Sequence, residues 1–212
     1  MEKRLLLTRS RHDIANQYLF SYSEEIISDA KALGWHVEKA ENEKNTAEEL
    51  HSRLKNKPNF VFFNGHGNDS SIHGHNNETI IDISSASLLT GTIAFARSCS
   101  ALKVFGKEAV KSGCTSFIGY EGLFLIPRVF EYESSPSINP AAKPVLEVSN
   151  IVGKLLLKGC TVQTAVNASQ AKACSLMLKM LSSNEPHDKA AFTALYQNSS
   201  ALSFAGDPNA RI

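Results

Sequence analysis

Residues 60–67 read FVFFNGHG, four apolar residues followed by a polar turn that contains His66. Residues 93–100 read IAFARSCS and repeat this design, because an apolar run again leads into a polar turn, here with Cys99. Each run has the length of a buried strand. The two segments therefore predict a pair of buried strands, each followed after three residues by a side chain that can do acid–base or nucleophilic chemistry.

The rest of the chain alternates short apolar runs with amphipathic stretches. Further strands are predicted at residues 5–7, 35–37 and 116–120, and helices at 18–33, 101–111, 145–157 and 162–181. A further helix is predicted to run to Leu54, because Thr46 and Glu49 form a capping box. Uniformly apolar strands separated by helices are typical of a parallel sheet covered on both faces. We expect an α/β fold with a mostly parallel, doubly wound sheet, and a closing strand and turn near residues 201–208.

Composition limits the classes of partner. The chain of 212 residues carries 22 Lys and Arg against 21 Asp and Glu, a formal net charge of +1. A nearly neutral chain lacks the basic excess that attracts nucleic acid or anionic membranes, so neither is expected as a partner. No apolar run approaches the roughly 18 residues of a spanning helix, and the start of the chain lacks a secretory apolar segment. We expect one cytoplasmic domain over residues 1–212, with an exposed loop at 131–144.

His66 and Cys99 form the candidate reactive pair. The carboxyl ends of parallel strands meet at one edge of a sheet, where ligands bind, and neighbouring strands are about 5 Å apart. A thiol nucleophile needs a nearby base, which an imidazole facing Cys99 would supply. Gly65 and Gly67 leave room for a substrate backbone, and the amide N–H of Gly67 is a candidate donor to an oxyanion.

Other interpretations of these residues stay open. A buried cysteine is more often a packing residue than a nucleophile, and a single histidine is more often structural than catalytic. His66, His73 and His75 could instead form a metal cluster with Cys99. The four cysteines contain no C-x-x-C pair, so neither a disulfide framework nor a thiolate zinc site is expected.

The segments FFNGHG at 62–67, ARSCS at 96–100 and GCTSFIGY at 113–120 resemble the caspase-like cysteine peptidases. That group includes caspases, metacaspases, gingipains and the CHAT proteases of bacteria. FAGDP at 204–208 is similar to an element near the end of gingipain and CHAT-type domains. The resemblance covers about residues 4–208 and implies a three-layer αβα sandwich. Ser98 departs from the pattern, because many relatives have Ala directly before the cysteine.

The resemblance implies a cysteine endopeptidase that needs no cofactor. Cys99 would be the nucleophile, His66 the general acid and base, and the amide N–H groups of Gly67 and Cys99 the oxyanion donors. The substrates would be proteins or peptides, and a partner protein or an activating ligand would regulate the enzyme. A role in bacterial defence or stress-triggered proteolysis follows by analogy. The alternatives are an inactive interaction module and a metal-dependent hydrolase.

The resemblance also suggests where specificity is set. In caspase-like folds, the loops after the first and fifth strands bind the residue before the scissile bond, and these loops hold Asp13 and Glu121 here. An acidic side chain there would receive Arg or Lys, which we expect; arginines in the same loops, such as Arg11 and Arg128, would suit an acidic residue instead. Asp13 is equally well placed to cap a helix. The loop at 131–144 is a candidate regulatory or self-cleavage segment.

Overall fold

The computed structural model describes residues 2–212 and contains eight strands and six α-helices within them. The strands are β1 Arg4–Arg9, β2 His36–Glu41, β3 Phe60–Asn64, β4 Ser71–His73, β5 Thr79–Asp82, β6 Ile93–Arg97, β7 Ser116–Tyr120 and β8 Leu202–Gly206. The helices are α1 Ile14–Ala32, α2 Ala47–Leu54, α3 Lys107–Lys111, α4 Ala142–Leu157, α5 Val162–Met180 and α6 Pro186–Ala201.

Six of the strands form one mixed sheet in the order β2-β1-β3-β6-β7-β8. Every pairing in it is parallel except that of β7 with β8, which is antiparallel. The α/β class and the mostly parallel sheet predicted from the apolar runs are confirmed. β3 and β6 lie side by side at the centre, and all of their residues are buried.

The sheet separates two hydrophobic cores, because successive strand residues point to opposite faces. Phe60 and Phe62 of β3 pack with α1, α4 and α5 on one face. Val61 and Phe63 pack on the other face, with α2 and the segment that leads into α3. Helices therefore cover both faces, which makes the three layers of an αβα sandwich.

The predicted helix at 101–111 is not a continuous α-helix. Residues Leu102–Gly106 form a π-helical turn, and only Lys107–Lys111 is α-helical. The cause is a competing hydrogen bond: the amide of Phe105 donates to Asp69 O at 2.8 Å, so the amide of Gly106 bonds to Ala101 O, five residues back. Gly106 also allows close packing, because a Cβ there would lie 2.5 Å from the Phe117 ring.

Two elements were not predicted from the sequence. The first is α6, which leads into the closing strand β8. The second is the antiparallel hairpin of β4 and β5, which follows His66 and carries a register irregularity between Ile72 and His73. No helix within residues 2–212 is both long enough and apolar enough to cross a bilayer.

The segment at 131–144 is mostly exposed, as expected, but it is attached to the core. It contains the 3₁₀ turns Phe130–Tyr132 and Pro136–Ile138, and α4 already begins at Ala142. Asn139 is fully buried, and its Nδ2 donates to the Tyr18 hydroxyl at 2.7 Å and to Val129 O at 3.0 Å. A regulatory role for this segment stays a prediction.

Candidate active site

The register of β3 and β6 brings the two predicted reactive residues to one edge of the sheet. Asn64 of β3 pairs with Arg97 of β6, and His66 and Cys99 each lie two residues beyond this pair. The two turns are also bonded to each other, because Ser98 Oγ donates to Gly65 O at 2.9 Å. The serine that departs from the family pattern therefore links the histidine turn to the cysteine turn.

Gly67 shows how closely the two turns approach. A Cβ placed on Gly67 would lie 2.9 Å from Ser98 Cβ and 3.3 Å from the backbone oxygen of Cys99. Within residues 2–212, the amide N–H groups of Gly67 and Cys99 donate to no other group of the chain. Two unpaired amide donors in these adjacent turns agree with the predicted oxyanion role, which stays a prediction.

His66 and Cys99 line the same pocket, which has a volume of about 220 Å³. Its wall is largely apolar, with Leu19, Phe124 and Ile126, and its charged lining residues are two arginines, Arg97 and Arg128. Arg128 is partly exposed and lies 3.4 Å from Glu133. The pocket is thus an open cleft beside a thiol and an imidazole, with cationic groups at its border.

Cys99 is partly buried and is held by the segment after β7. The amide N–H of Phe124 donates to Cys99 Sγ at 3.4 Å, and Sγ lies 3.9 Å from Phe124 O, so both backbone groups of Phe124 contact the sulfur. The next residue, Ser100, has a φ of 54°, a left-handed conformation that is uncommon for serine. Its amide is fixed by Gly122 O at 2.8 Å, so the backbone turns sharply at the thiol.

His66 is oriented by Asp13. Its Nε2 lies 2.7 Å from Asp13 Oδ2. Burial alone would raise the pKa of Asp13, but the hydrogen bonds from the Asn16 backbone and side chain and from His66 outweigh it, so the pKa lies below its ordinary value. An ionised carboxylate only accepts hydrogen bonds, so Nε2 carries the proton and the lone pair of the neutral ring is on Nδ1.

Asp13 also begins α1, as the alternative interpretation of the sequence proposed. It is the N-cap residue, and its Oδ1 accepts from the amide of Asn16 at 2.9 Å. Asp13 does not line the pocket, and its contact with His66 was not predicted. The two residues are 53 positions apart in the chain, and nothing in the sequence pattern indicates that they meet.

Glu121, the second predicted specificity residue, lies outside the pocket lining. Its side chain is about half exposed and pairs with Lys107 at 2.7 Å. The structure therefore brings His66, Cys99 and Gly67 together, places Asp13 behind His66, and separates Glu121 from them. The substrate-binding roles of Asp13 and Glu121 stay predictions.

Gly65 and Arg97 fix the positions of the two turns that contain His66 and Cys99. A Cβ on Gly65 would lie 2.4 Å from His73 O, so only glycine fits where the β4–β5 hairpin crosses. Arg97 is fully buried, and burial lowers its pKa to about 9, which leaves it charged at pH 7. Its Nε donates to Asn64 Oδ1 at 2.7 Å and its Nη1 to Asn150 Oδ1 at 2.8 Å, so the ends of β3 and β6 are tied to α4.

The metal cluster considered from the sequence does not form as proposed. Among residues 2–212, the group of three potential ligands whose donor atoms lie within 4.8 Å of one another is His12, Asp13 and His66. His73 turns instead to Ser71, whose Oγ lies 3.0 Å from His73 Nε2, and Cys99 is not a member of the group. His12 was not singled out from the sequence.

Solved structures share this fold over almost the whole chain. The Arg-specific cysteine proteinase gingipain R has a TM-score of 0.60 and 11% identity, with 99% of this chain and 47% of that chain covered. The complex of the pro- and mature domains of RgpB from Porphyromonas gingivalis gives 0.60 and 10%, with 97% and 47% covered. The Saccharomyces cerevisiae separase–securin complex gives 0.59 and 14%, with 100% and 12% covered.

These neighbours are caspase-like cysteine peptidases, so the resemblance in fold inferred from the sequence is confirmed. The chain spans about half the length of the gingipain chains and a smaller part of the separase chain. No protein-family profile matches the sequence, and no curated protein does. At 10–14% identity the likeness concerns the fold, and the chemistry has to be argued from the site itself.

Proposed function

We propose that the chain is a cysteine endopeptidase in which Cys99 attacks the peptide carbonyl and His66 transfers the protons. The observation that carries this proposal is the shared pocket of Cys99 and His66, with an ionised Asp13 on the far side of the imidazole. A thiol, a base beside it and a group that orients the base are the parts that nucleophilic catalysis requires.

The reaction follows from this arrangement. His66 Nδ1 takes the thiol proton, and the thiolate of Cys99 forms a bond to the carbonyl carbon of the substrate. The amide N–H groups of Gly67 and Cys99 donate to the oxyanion, a type of contact that contributes about 2.7–4 kcal/mol per donor in other enzymes. His66 then protonates the leaving amine as the carbon–nitrogen bond breaks, which leaves a thioester. Water attacks the thioester with His66 as base, and the thiol is restored.

Asp13 acts as a positioning residue in this scheme. By accepting the hydrogen bond from Nε2–H, it fixes the tautomer in which Nδ1 can accept a proton. It also stabilises the imidazolium that forms during the attack, because an opposite charge at hydrogen-bond distance favours the protonated ring.

The proposal also concerns which substrate side chain is accepted directly before the scissile bond. Basic specificity would depend on Asp13 and Glu121, and neither of them lines the pocket. Arg128 does line it, together with the buried guanidinium of Arg97. These charges favour the alternative that the sequence left open, an acidic side chain before the scissile bond.

Control by a partner protein is supported by the neighbours. One of them is a complex of pro- and mature domains and another is a separase–securin complex. A regulatory partner or an activating ligand therefore belongs to the proposal, as do the cytoplasmic location and the role in bacterial defence or stress that the sequence resemblance implies. Fold analogy alone supports the last of these.

A peptide-library cleavage profile of the wild type beside Cys99→Ala tests the proposal. We expect cleavage by the wild type and none by Cys99→Ala. Release after Asp or Glu would support Arg128 and Arg97 as the specificity residues, whereas release after Arg or Lys would restore that role to Asp13. A folded wild type that cleaves no member of the library, with or without cell extract as a source of activator, would favour the interaction module.

A further inference from the structure

One carboxylate oxygen beside the proposed active site is crowded by nitrogen atoms. Asp13 Oδ2 lies 2.7 Å from His66 Nε2, 2.9 Å from Asn16 Nδ2 and 3.1 Å from His12 Nε2. A carboxylate oxygen offers about two lone-pair positions to donors. Asn16 and His66 fill them, so His12 Nε2 faces the oxygen without a place to donate.

His12 is held in this orientation by Ser10. Its Nδ1 lies 2.7 Å from Ser10 Oγ, which in turn lies 3.2 Å from His75 Nδ1. His12 Nε2 also lies 3.4 Å from Asn77 Oδ1, beyond the usual distance of an N–H···O hydrogen bond. If Nδ1–H of His12 donates to Ser10 and the Ser10 hydroxyl donates to His75, these three groups are satisfied, and Nε2 of His12 presents a lone pair to Asp13. A histidine whose second nitrogen donates to a neighbour is typical of metal ligands. The His12 side chain is only 9% exposed, so this orientation is fixed by packing.

The spacing of the three groups fits a small divalent cation. The donor atoms of His12, Asp13 and His66 lie within 4.8 Å of one another. Bonds of about 2.0–2.1 Å in a tetrahedron separate ligand atoms by about 3.3 Å. The 3.1 Å contact of Asp13 with His12 therefore has to open by about 0.2 Å and the 2.7 Å contact with His66 by about 0.6 Å, and the two imidazole nitrogens, which lie within 4.8 Å of each other, have to reach the same separation. His66 and Asp13 are partly exposed, which leaves the fourth position to water.

From this geometry we propose that His12, Asp13 and His66 bind Zn²⁺ or a similar divalent transition metal through Nε2, Oδ2 and Nε2. Two imidazoles and one carboxylate suit such metals, whereas Mg²⁺ and Ca²⁺ prefer oxygen ligands. This set differs from the cluster of His66, His73, His75 and Cys99 considered from the sequence.

The bound metal would switch off the peptidase, a consequence that rests on the proposed function. An imidazole that binds a metal through Nε2 carries its proton on Nδ1. Nδ1 of His66 then has no lone pair for the thiol proton of Cys99. Asp13, held by the metal, no longer accepts from His66. The site is therefore an inhibitory metal site that takes the general base out of use without touching the thiol.

Calorimetric titration of chelator-treated protein with ZnCl₂ tests the binding. In Cys99→Ala, which removes the thiol, we expect one zinc per chain, and no comparable binding of MgCl₂. His12→Ala in the same background should weaken the dissociation constant by about 100-fold or more, since even loss of groups behind the ligands costs 10–100-fold. His73→Ala is the matched control and should bind as Cys99→Ala does.

Two results of the titration would overturn the site. One is the absence of stoichiometric zinc binding up to millimolar concentration. The other is binding that His73→Ala abolishes and His12→Ala leaves intact, which would restore the set considered from the sequence.

Hydrolysis rates test the inhibitory effect separately. We expect saturating ZnCl₂ to reduce the cleavage rate of the otherwise unmodified chain at least tenfold and a chelator to restore it. In His12→Ala the ratio of the rates with and without zinc should be close to one. Stoichiometric zinc in a chain that is inactive when metal-free would support the site and contradict the peptidase. Hydrolysis that zinc increases would overturn the inhibitory role and favour the metal-dependent hydrolase.

Discussion

Asp13 serves two structures through its two carboxylate oxygens. Oδ1 caps α1 by accepting from the amide of Asn16, and Oδ2 accepts from the imidazole of His66. Asparagine caps a helix about as well as aspartate does, but it carries no charge and presents one oxygen instead of two. The two functions can therefore be separated by substitution at this single position.

Asp13→Asn should reduce kcat/KM by about 10²–10⁴-fold but cost less stability at pH 7 than Asp13→Ala, because the cap is kept and the orienting carboxylate is lost. Asp13→Ala should show the same loss of activity and an additional loss of about 1 kcal/mol in the free energy of unfolding. Steady-state kinetics and thermal melts of both variants provide the measurement. A fully active Asp13→Asn enzyme would show that His66 does not depend on Asp13.

The pKa of Asp13 adds a dependence of stability on pH. Its pKa in the folded chain lies below the ordinary value of 3.8, so the folded state favours the ionised carboxylate more than the unfolded state does. This stabilisation is complete above the unfolded pKa and is lost as the pH falls through the folded value. Below pH 4 the stability curves of wild type and Asp13→Asn should converge, and denaturant melts at several pH values would measure the difference. A constant difference over this range would be contrary to the assigned shift.

Gly65 is required by the approach of the β4–β5 hairpin. Gly65→Ala should lower the free energy of unfolding by about 1–3 kcal/mol, because its Cβ would lie 2.4 Å from the backbone oxygen of His73. The matched control is Gly122→Ala, whose Cβ would meet the Gln197 side chain at 3.3 Å and Ala201 Cβ at 3.7 Å, and it should change stability by less than about 0.5 kcal/mol. If the two variants lose the same free energy of unfolding in urea melts, the structure accommodates a Cβ at position 65 without loss of stability.

At the scale of elements, the segment after β7 is held in place by α6. Asn198 Oδ1 accepts from the amide of Leu125 at 2.7 Å, and its Nδ2 donates to Leu125 O at 2.9 Å. The neighbouring Phe124 amide donates to Cys99 Sγ. The last helix thereby fixes the segment whose backbone contacts Cys99 Sγ.

Asn198→Ala should release this segment, because both backbone groups of Leu125 lose their partner. We expect faster proteolytic cutting within residues 121–128 and a lower kcat, and Ser200→Ala, at an exposed position of the same helix, should match the wild type. Limited proteolysis followed by mass mapping measures the first effect. Unchanged cutting in Asn198→Ala would mean that other contacts hold the segment.

The sequence was informative where the fold is regular. The apolar runs at 60–63 and 93–96 indicate buried strands, and the register of β3 and β6 brings His66 and Cys99 to one pocket at the same edge of the sheet. By contrast, α6 buries mainly small side chains, among them Ala191 and Ala194, and so lacks a recognisable apolar stripe. The π-helical turn before α3 depends on Asp69, which the local pattern of apolar residues does not include. Contacts between distant segments, such as Asp13 with His66, leave no periodic signal.

At the scale of the whole molecule, the sheet joins the two main cores. Each central strand contributes alternate residues to both faces, so neither core can lose its packing without exposing the sheet. β8 returns from the end of the chain to pair with β7 along its whole length. That residues 1–212 form one domain stays a prediction, which the unfolding behaviour can test.

We therefore expect a single cooperative unfolding transition. In scanning calorimetry the van't Hoff enthalpy should equal the calorimetric enthalpy, as it does when no intermediate is populated. Two resolved transitions, or a van't Hoff enthalpy well below the calorimetric value, would show that α5 and α6 unfold separately from the sheet.

The central claim is that Cys99 is a nucleophile activated by His66, and covalent labelling tests it most directly. A peptide with a thiol-reactive electrophile, added to the metal-free chain, should modify Cys99 alone of the four cysteines, as read by mass mapping. His66→Ala should slow the labelling at least about 100-fold, as expected for loss of a general base, while Cys174→Ala, which removes an exposed cysteine, should label at the wild-type rate. Labelling of Cys99 that is independent of His66, or labelling of Cys160 and Cys174 at the same rate as Cys99, would contradict the account.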